Sequence, residues 1–214
     1  MTRFVLWDWN GTLLDDVNLC VDALNRLLQQ HGYPQRYDIP RYREIFGFPI
    51  RDYYVRAGFD FSRDPFDALA AGYMAMYIPE SAACPLMPGA LQALALLRGA
   101  GVRQSILSAS PLPTLERQVA ERQIRPYFEE LLGLSDIYAA SKIALGQDFL
   151  RRSGLSPADT VMIGDSVHDF EVSRALGTGC VLYAGGHQSA ALLAGTGAPV
   201  CATLAQACRA ALGR

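Results

Sequence analysis

Short apolar runs alternate with helical repeats of apolar residues along most of the chain. Residues 3–9 are apolar and rich in residues that favour β-strands, and the run stops at the turn-forming pair Asn10-Gly11. From residue 16 to 31, apolar residues recur every three or four positions, and Gly32 follows where a helix would end. The opening pattern therefore predicts a buried first strand, a turn and a long amphipathic helix.

The helical pattern continues to about residue 77 without a convincing strand. We expect the aromatic rings of this stretch to form the core of a separate helical unit or to pack against the sheet, because large rings are usually buried. These residues are Tyr42, Phe46, Phe48, Tyr53, Tyr54, Phe66 and Tyr73. The predicted insert spans residues 16–83, with hinges near residues 15–17 and 84–88.

Strands and helices alternate after Pro85, which is typical of a parallel sheet with crossover helices. Strands are predicted at residues 103–107, 130–134, 160–163 and 180–183, with a possible last strand at 199–201. Helices are predicted at residues 91–97, 112–122, 143–152 and 170–176, and again from residue 190. The predicted fold class is α/β: a Rossmann-like doubly wound parallel sheet of residues 1–15 and 84–214, with an inserted all-helical domain.

Composition and charge narrow the range of partners. The 214 residues are 50% hydrophobic and carry a formal net charge of -2, and no basic run stands out, so we expect no nucleic-acid partner. No stretch of about 18 apolar residues occurs, and Asp8 interrupts the N-terminal apolar run too early for a signal peptide. We therefore expect a cytoplasmic protein with no membrane partner.

Cysteine and lysine usage adds two constraints. The five cysteines are scattered and form no CxxC or Cys/His spacing, so neither a disulfide framework nor a zinc site is indicated. Only one of the 19 Lys and Arg residues is a lysine, Lys142. No other lysine is available for a site that needs a compact positive charge.

A first candidate motif, Asp8-Trp9-Asn10-Gly11-Thr12, lies at the end of the opening strand. In a doubly wound sheet, ligands bind beyond the carboxyl ends of the strands. A carboxylate held there can attack phosphorus and form an aspartyl phosphate, while Gly11 lets the backbone approach a ligand. Asp8 and Asn10 could instead satisfy turn amides only, as Asp and Asn often do.

Two further candidates follow other predicted strands. The Ser108 hydroxyl and the backbone N–H of Ala109 can bind a phosphate oxygen beside the start of a helix, although Ser108 could be a simple helix cap. Lys142 precedes the helix that is predicted from residue 143. Its charge can neutralise both a nucleophile and a phosphoryl group, although it could be a surface lysine.

The segment GDSVHD follows the predicted strand at residues 160–163 and provides two carboxylates, Asp165 and Asp169. At this spacing they can complete an octahedral magnesium site with Asp8, with Asp165 binding directly and Asp169 acting from outside the ligand shell. Asp169 could also cap the following helix, and that role does not exclude a role in metal binding.

Together these motifs resemble the haloacid dehalogenase superfamily, whose pattern is DxDGTLxD, then Ser or Thr, then Lys, then GDxxxD. The corresponding residues here read WDWNGTLLDD, Ser108, Lys142 and GDSVHD. The insert after the first motif and the segment PLMPGALQALALLRGAGV resemble the phosphoglycolate phosphatase-like branch with a helical cap.

The resemblance implies a role for each motif residue. Asp8 would take up the phosphoryl group, and Mg²⁺ would be held by Asp8, the backbone carbonyl of Asn10 and Asp165, with Asp169 binding or orienting the metal. Bound phosphate would contact Ser108, Ala109 and Lys142, and Thr12 would position the first loop. The implied substrate is a small phosphorylated metabolite, and a monomer or dimer is expected.

Asn10 departs from the family pattern. Phosphatases of the family usually carry an aspartate there, which protonates the leaving oxygen and later activates water, and asparagine has no titratable proton for either step. We therefore expect a slow or selective phosphatase that favours aryl phosphates, whose leaving groups need little protonation. Asp15, Asp16 and His168 are candidates to replace this aspartate as the proton donor and acceptor.

Several alternatives stay open or are excluded. Asn10 also fits a catalytically silent phosphate-ligand binder, or a variant in which asparagine replaces a natural aspartate. The segment FGFPIR resembles the substrate-specificity loop of the cap, where Arg51 could contact a second anionic group or lie on the surface. A phosphonate hydrolase is excluded because residues 16–83 contain no lysine for a Schiff base. A haloacid dehalogenase proper is disfavoured, because it does not need the metal-binding pair Asp165 and Asp169.

Overall fold

Six parallel strands form one sheet in the computed structural model, which describes residues 2–134 and 142–213. Met1, residues 135–141 and Arg214, all within the predicted core segments, lie outside the described residues. The strand order is β3-β2-β1-β4-β5-β6. The strands are β1 (Phe4–Trp7), β2 (Arg103–Pro111), β3 (Leu131–Leu134), β4 (Thr160–Gly164), β5 (Gly179–Tyr183) and β6 (Val200–Cys201).

This order is that of a doubly wound sheet, with the switch point between β1 and β4. Alternate residues of β1 face two different cores: Val5 and Trp7 belong to one buried cluster, and Phe4 and Leu6 belong to another. Both faces of the central strand are therefore covered, which explains why its sequence is continuously apolar. The predicted fold class is confirmed.

Helices cover the sheet and form the insert. The insert contains α1 (Val17–Gln30), α2 (Ile39–Ile45), α3 (Ile50–Ala57) and α4 (Phe66–Ser81). The remaining helices are α5 (Ala90–Gly99), α6 (Leu112–Glu121), α7 (Lys142–Ser153), α8 (Val167–Leu176), α9 (Ala190–Ala194) and α10 (Leu204–Leu212). None of the described helices is long and apolar enough to cross a membrane.

The insert is helical throughout, as expected, and α1 packs against α4. Its aromatic residues form a buried core in which Tyr53 lies edge-on to both Tyr42 and Tyr54. The chain segments that enter and leave the insert pair with each other through an antiparallel bridge between Leu14 and Leu86. Its boundaries at residues 16 and 83 remain a prediction.

Three of the differences from the predicted element boundaries affect site residues. Strand β1 ends at Trp7, because the carbonyl of Trp9 accepts the amides of residues 12–14 in a tight turn. Strand β2 continues to Pro111 because it pairs with β3 again after an irregularity, so Ser108 lies inside the strand. Helix α8 begins at Val167, capped by Ser166, so Asp169 is not its N-cap.

Candidate active site

Four polar side chains meet at the carboxyl ends of the central strands. Asp8 follows β1, and Asp165 follows the neighbouring β4. Lys142 is the first residue of α7, and Asp169 lies in the first turn of α8. The backbone N–H of Asp8 donates to the Ile163 carbonyl at 2.8 Å, which fixes Asp8 at the switch point of the sheet.

The three carboxylates form a tight, buried cluster. Ligand oxygens of Asp8, Asp165 and Asp169 all lie within 4.8 Å of one another. Lys142 bridges two of them, because its Nζ donates to Asp8 Oδ1 at 2.5 Å and to Asp169 Oδ1 at 2.6 Å. One ammonium group thus neutralises only part of the negative charge of the cluster.

The pKa values follow from this crowding. Burial and the neighbouring Asp169 raise the pKa of Asp8 to about 8, although Lys142 acts in the opposite direction. Burial and Asp169 also raise the pKa of Asp165. Burial alone would raise the pKa of Asp169, but its interactions with Lys142, Ser166 and His168 together outweigh burial and lower it. The cluster is therefore short of positive charge, a condition that favours a bound cation.

The available oxygens fit a hard cation such as Mg²⁺. Asp169 Oδ2 is already held by the backbone N–H of Asp165 at 3.1 Å and by the Ser166 hydroxyl at 2.7 Å, and its Oδ1 accepts from Lys142. This carboxylate is therefore placed to orient the site. Asp8 and Asp165 are the carboxylates best placed to bind the ion directly.

Thr12 and Gly11 position the two carboxylates. The hydroxyl of Thr12 donates to Asp165 Oδ1 at 2.8 Å and lies 3.2 Å from Asp8 Oδ2. A cavity lies at the cluster and is lined by its four side chains and by residues of the insert. Thr12 is fully buried and does not line this cavity. Gly11 has φ of +73°, and a Cβ there would collide with Asp165 and His187. The close approach of the first loop to Asp165 therefore requires glycine.

The predicted phosphate-binding pair lies beside this cluster on β2. Ser108 is buried, and its Oγ accepts the backbone N–H of Ser110 at 3.0 Å. Ala109 lines the cavity together with Asp8, Asn10 and Lys142, whereas Ser108 does not. The structure thus brings Ala109 to the cavity surface and places Ser108 below it.

The Asn10 side chain is held at both its oxygen and its nitrogen. Its Nδ2 donates to Asp16 Oδ2 at 2.8 Å and to the Tyr77 hydroxyl at 2.7 Å. Its Oδ1 accepts from the Ser110 hydroxyl at 2.7 Å. Partners from the start of α1, from α4 and from β2 therefore fix the orientation of this carboxamide.

Asp16 anchors a second buried network. Its Oδ1 accepts the backbone N–H of Gly11 at 2.9 Å and lies 3.2 Å from Nε2 of His187. Burial alone would lower the pKa of His187, but the nearby carboxylates, of which Asp16 acts most strongly, together outweigh burial and raise it to about 9. The other ring nitrogen of His187 lies 2.9 Å from the Tyr42 hydroxyl. This ion pair links the helical insert to the loop after β5.

Asp16, Cys20 and His187 also bring potential ligand atoms within 4.8 Å of one another. Asp16 and His187 already pair with each other. Burial and the nearby Asp16 raise the pKa of the Cys20 thiol well above its usual value, which opposes the thiolate that a metal would need. These residues form a structural ion pair beside a neutral thiol.

His187, Tyr77 and Ser110 were not identified from the sequence. His187 follows β5, so the rule that singled out polar residues after strands applied to it as well. Tyr77 and Ser110 carried no comparable signal, because one lies among the aromatic residues of the insert and the other in a Ser-rich run. Only the folded chain brings them to Asn10.

Two of the other predicted residues lie elsewhere. The guanidinium of Arg51 stacks over the rings of Phe61 and Phe66, 4.6 Å and 5.3 Å from their centroids, and Arg51 does not line the cavity. This cation–π contact holds it away from the carboxylates. Asp15 does not line the cavity either. His168 does, with its ring stacked on Phe48 at 4.4 Å.

The fold and this cluster define a class: doubly wound α/β proteins with an acidic site at the switch point of the sheet. Residues 5–183 match the family of haloacid dehalogenase-like hydrolases, and the chain belongs to that family.

Relatives of known name support the assignment. The chain is 24% identical over 187 residues to phosphoglycolate phosphatase 1 of Pseudomonas aeruginosa, covering 84% of this chain and 68% of that protein. It is 29% identical over 188 residues to tyrosine-protein kinase PtkA of Mycobacterium tuberculosis, covering 86% of this chain and 63% of that protein.

Solved structures show the same fold. A predicted phosphatase from Clostridium acetobutylicum matches with a TM-score of 0.84 at 17% identity, over 100% of both chains. The structure of Mycobacterium tuberculosis PtkA matches with a TM-score of 0.81 at 27% identity, over 100% of this chain and 99% of that chain.

The predicted superfamily and the predicted enzyme class, a haloacid dehalogenase-like phosphatase, are confirmed by the family match and the phosphatase relatives.

Proposed function

We propose that the chain is a Mg²⁺-dependent phosphatase that hydrolyses a small phosphomonoester through an aspartyl phosphate on Asp8. One observation carries the proposal: the Asp8 carboxylate lines the cavity and accepts a hydrogen bond from the only lysine of the chain, within a cluster of three carboxylates. A nucleophile, a fixed positive charge and oxygen ligands for a divalent cation therefore lie side by side.

Residues of the site have defined parts in the proposed reaction. A carboxylate oxygen of Asp8 attacks phosphorus, the ester P–O bond breaks, and the leaving oxygen keeps the bonding electrons and takes a proton from water to give the alcohol. Water then attacks the phosphoryl group on Asp8, which releases phosphate and restores the carboxylate. Lys142 neutralises charge on Asp8 and on the phosphoryl oxygens, and the Ala109 N–H helps to bind them. Ser108 supports this segment from below the cavity, where its Oγ accepts the backbone N–H of Ser110.

Mg²⁺ bound by Asp8, Asp165 and the backbone carbonyl of Asn10 would neutralise phosphoryl charge and align the ester. Thr12 and Asp169 keep these ligands in position through the hydrogen bonds described above. The Asn10 side chain is not needed for this contact, so its replacement of aspartate is compatible with metal binding.

The missing acid at residue 10 makes the enzyme slow or selective. Asp16 does not replace it, because both of its oxygens already accept hydrogen bonds and it serves as an anchor for Asn10. Asp15 lies outside the lining of the cavity. Loss of a positioned acid/base group reduces rates by roughly 100- to 10,000-fold, far less than the total acceleration of phosphate-ester hydrolysis by enzymes.

Phosphate release from an aryl phosphate with Mg²⁺ tests the proposal, comparing the chain with Asn10→Asp and Asp8→Asn. We expect turnover by the chain, faster turnover by Asn10→Asp, and none by Asp8→Asn. Turnover by Asn10→Asp alone would instead support a second candidate function, a silent phosphate-ligand binder, which the absence of a titratable group at Asn10 favours. Equal turnover by Asp8→Asn would contradict both functions.

We also propose that residues 16–83 form a cap that moves over the site. Two hydrogen bonds between the connecting segments support this proposal. The backbone N–H of Asp15 donates to the Pro85 carbonyl at 2.9 Å, and the backbone N–H of Met87 donates to the Leu13 carbonyl at 2.8 Å. This paired ribbon is a suitable hinge. Hydrogen exchange should slow in the insert when phosphate and Mg²⁺ are added, and unchanged exchange would contradict cap movement. A cytoplasmic location and a monomer or dimer stay predictions.

A further inference from the structure

The wall of the cavity that faces the carboxylates is apolar. The cavity holds about 250 Å³, and the insert contributes aromatic and aliphatic side chains to it: Phe46, Phe48, Ile50, Tyr73, Met74 and Ile78. Ligand pockets are typically roughly 300–1,000 Å³, so this volume suits a small ligand. The part of a substrate that extends from the phosphate toward the insert therefore meets hydrocarbon and aromatic rings.

The cavity offers no unpaired cation among the described residues that line it. Its basic side chains are Lys142, His168 and His187. Lys142 is bound by two carboxylates, and His187 pairs with Asp16. His168 lies on Phe48 with its Nδ1 3.5 Å from Glu171. Residues 135–141 add no Lys, Arg or His to the sequence.

Arginines of the insert that lie near the site are engaged elsewhere. Arg51 stacks on two phenylalanine rings. Arg43 donates to the carbonyls of Gly185 and Gly186, and Arg56 donates to the carbonyl of Ile45. A second carboxylate or phosphate on the substrate would therefore find no free cation in the described lining of the cavity, and its burial against the apolar side chains of the insert would be unfavourable.

On the basis of the proposed function, we infer that the substrate is an aryl phosphate, the phosphate monoester of an uncharged phenol. The ring would lie against Phe46, Phe48 and Tyr73, where aromatic pairs add to the gain from apolar burial. The site would reject esters that carry a second anionic group, including phosphoglycolate, the substrate named for the relative from Pseudomonas aeruginosa.

The chemistry at Asn10 favours the same class independently of the cavity wall. Cleavage of an aryl ester breaks the P–O bond and releases a phenolate, which holds the electron pair and takes its proton from water. A phenolate is a far weaker base than an alkoxide, so it leaves without a positioned acid. An enzyme that lacks the acid at residue 10 is therefore least impaired with aryl esters.

Two substrates with the same kind of leaving group test the inference. We would measure kcat/KM with Mg²⁺ for phenyl phosphate and for 4-carboxyphenyl phosphate, and for 2-phosphoglycolate as a third substrate. The ring carboxylate makes the leaving group slightly better, so a preference for phenyl phosphate reports rejection of the added anion. We expect phenyl phosphate to be preferred over each of the other two by at least about 100-fold.

A matched pair of variants locates the effect. Met74 lines the cavity and is 37% exposed, so Met74→Lys should fold and add a cation to the wall. It should lower the preference for phenyl over 4-carboxyphenyl phosphate by at least about tenfold. Val55 belongs to the same insert, is 56% exposed and does not line the cavity, so Val55→Lys should leave the preference unchanged.

These measurements distinguish failure of the inferred substrate class from failure of the proposed phosphatase function. Equal or faster hydrolysis of 4-carboxyphenyl phosphate or 2-phosphoglycolate would overturn the inferred substrate class and leave the phosphatase function standing. An equal effect of Met74→Lys and Val55→Lys would also overturn it, because added charge alone would then explain the change. No phosphate release from any of the three substrates, by the chain or by Asn10→Asp, would overturn both proposals.

Discussion

The Asn10 carboxamide donates a hydrogen bond of 2.8 Å to the Asp16 carboxylate. A side chain at the position where related phosphatases usually carry an aspartate is therefore a donor to a buried anion. An aspartate at residue 10 would instead face Asp16 with like charge. The asparagine and the buried Asp16 suit each other, and this pairing leads to the first prediction.

Asn10→Asp should raise activity and lower stability together. We expect kcat for alkyl phosphates to increase by roughly 100- to 10,000-fold, because an acid/base group is restored. Repulsion from Asp16 should lower the free energy of unfolding by roughly 1–3 kcal/mol. Steady-state kinetics and urea unfolding measure the two effects. The repulsion is absent when residue 16 is also changed, in an Asp16→Asn background. If Asn10→Asp lowered the free energy of unfolding by the same amount in that background, the explanation would be contradicted.

The Asp16–His187 pair should behave as a coupled buried ion pair. Asp16→Asn or His187→Gln alone leaves one buried charge without its partner and should lower the free energy of unfolding by about 3–5 kcal/mol. The double variant should lose clearly less than the sum of the two, as chemical unfolding can show. Additive losses would mean that the two side chains act separately.

The exposed pair Arg103 and Glu129 provides the control for that measurement. Both side chains are about half exposed, so solvent screens their attraction. Removing either should change the free energy of unfolding by less than about 1 kcal/mol. A loss as large as that at Asp16 would show that burial is not the reason for the difference.

Lys142→Met should nearly abolish turnover while the protein still folds. Loss of the ammonium group between Asp8 and Asp169 removes charge neutralisation from the site, and we expect kcat to fall by roughly 100- to 1,000-fold. Lys142→Arg should also have a low kcat, because a planar guanidinium does not fit the compact space of a buried ammonium. Circular dichroism and kinetics distinguish inactivity from misfolding. Full activity in either variant would exclude a catalytic role for Lys142.

Mg²⁺ should stabilise the protein through Asp165. Adding the ion to chelator-treated protein should raise the unfolding temperature, since a ligand at 100 times its Kd stabilises by about 2.7 kcal/mol. Asp165→Asn should reduce or abolish this shift, whereas Asp148→Asn, an exposed acid on α7, should not. Scanning calorimetry measures all three proteins. The same shift in all three would place the ion elsewhere.

Local sequence carried enough information for the sheet and for the acidic cluster. Apolar runs predicted the strands, and two of these runs are followed directly by Asp8 and Asp165. Lys142 was singled out at the start of the next predicted helix, where the structure has α7. Parallel strands bring their carboxyl ends to one edge, so positions far apart in sequence converge without further information. The end of β2 was mispredicted because its extension depends on pairing with β3.

The fold class, the family and the set of polar residues after the central strands follow from the amino-acid sequence, because short-range patterns encode strands, turns and helices. The surroundings of Asn10 and the position of Arg51 follow only from the folded chain. Asn10 meets Tyr77 because α4 of the insert packs beside the first loop, and it meets Ser110 because β2 pairs with β1. Arg51 binds aromatic rings of the insert. Such contacts depend on packing between distant segments, which no local periodicity records.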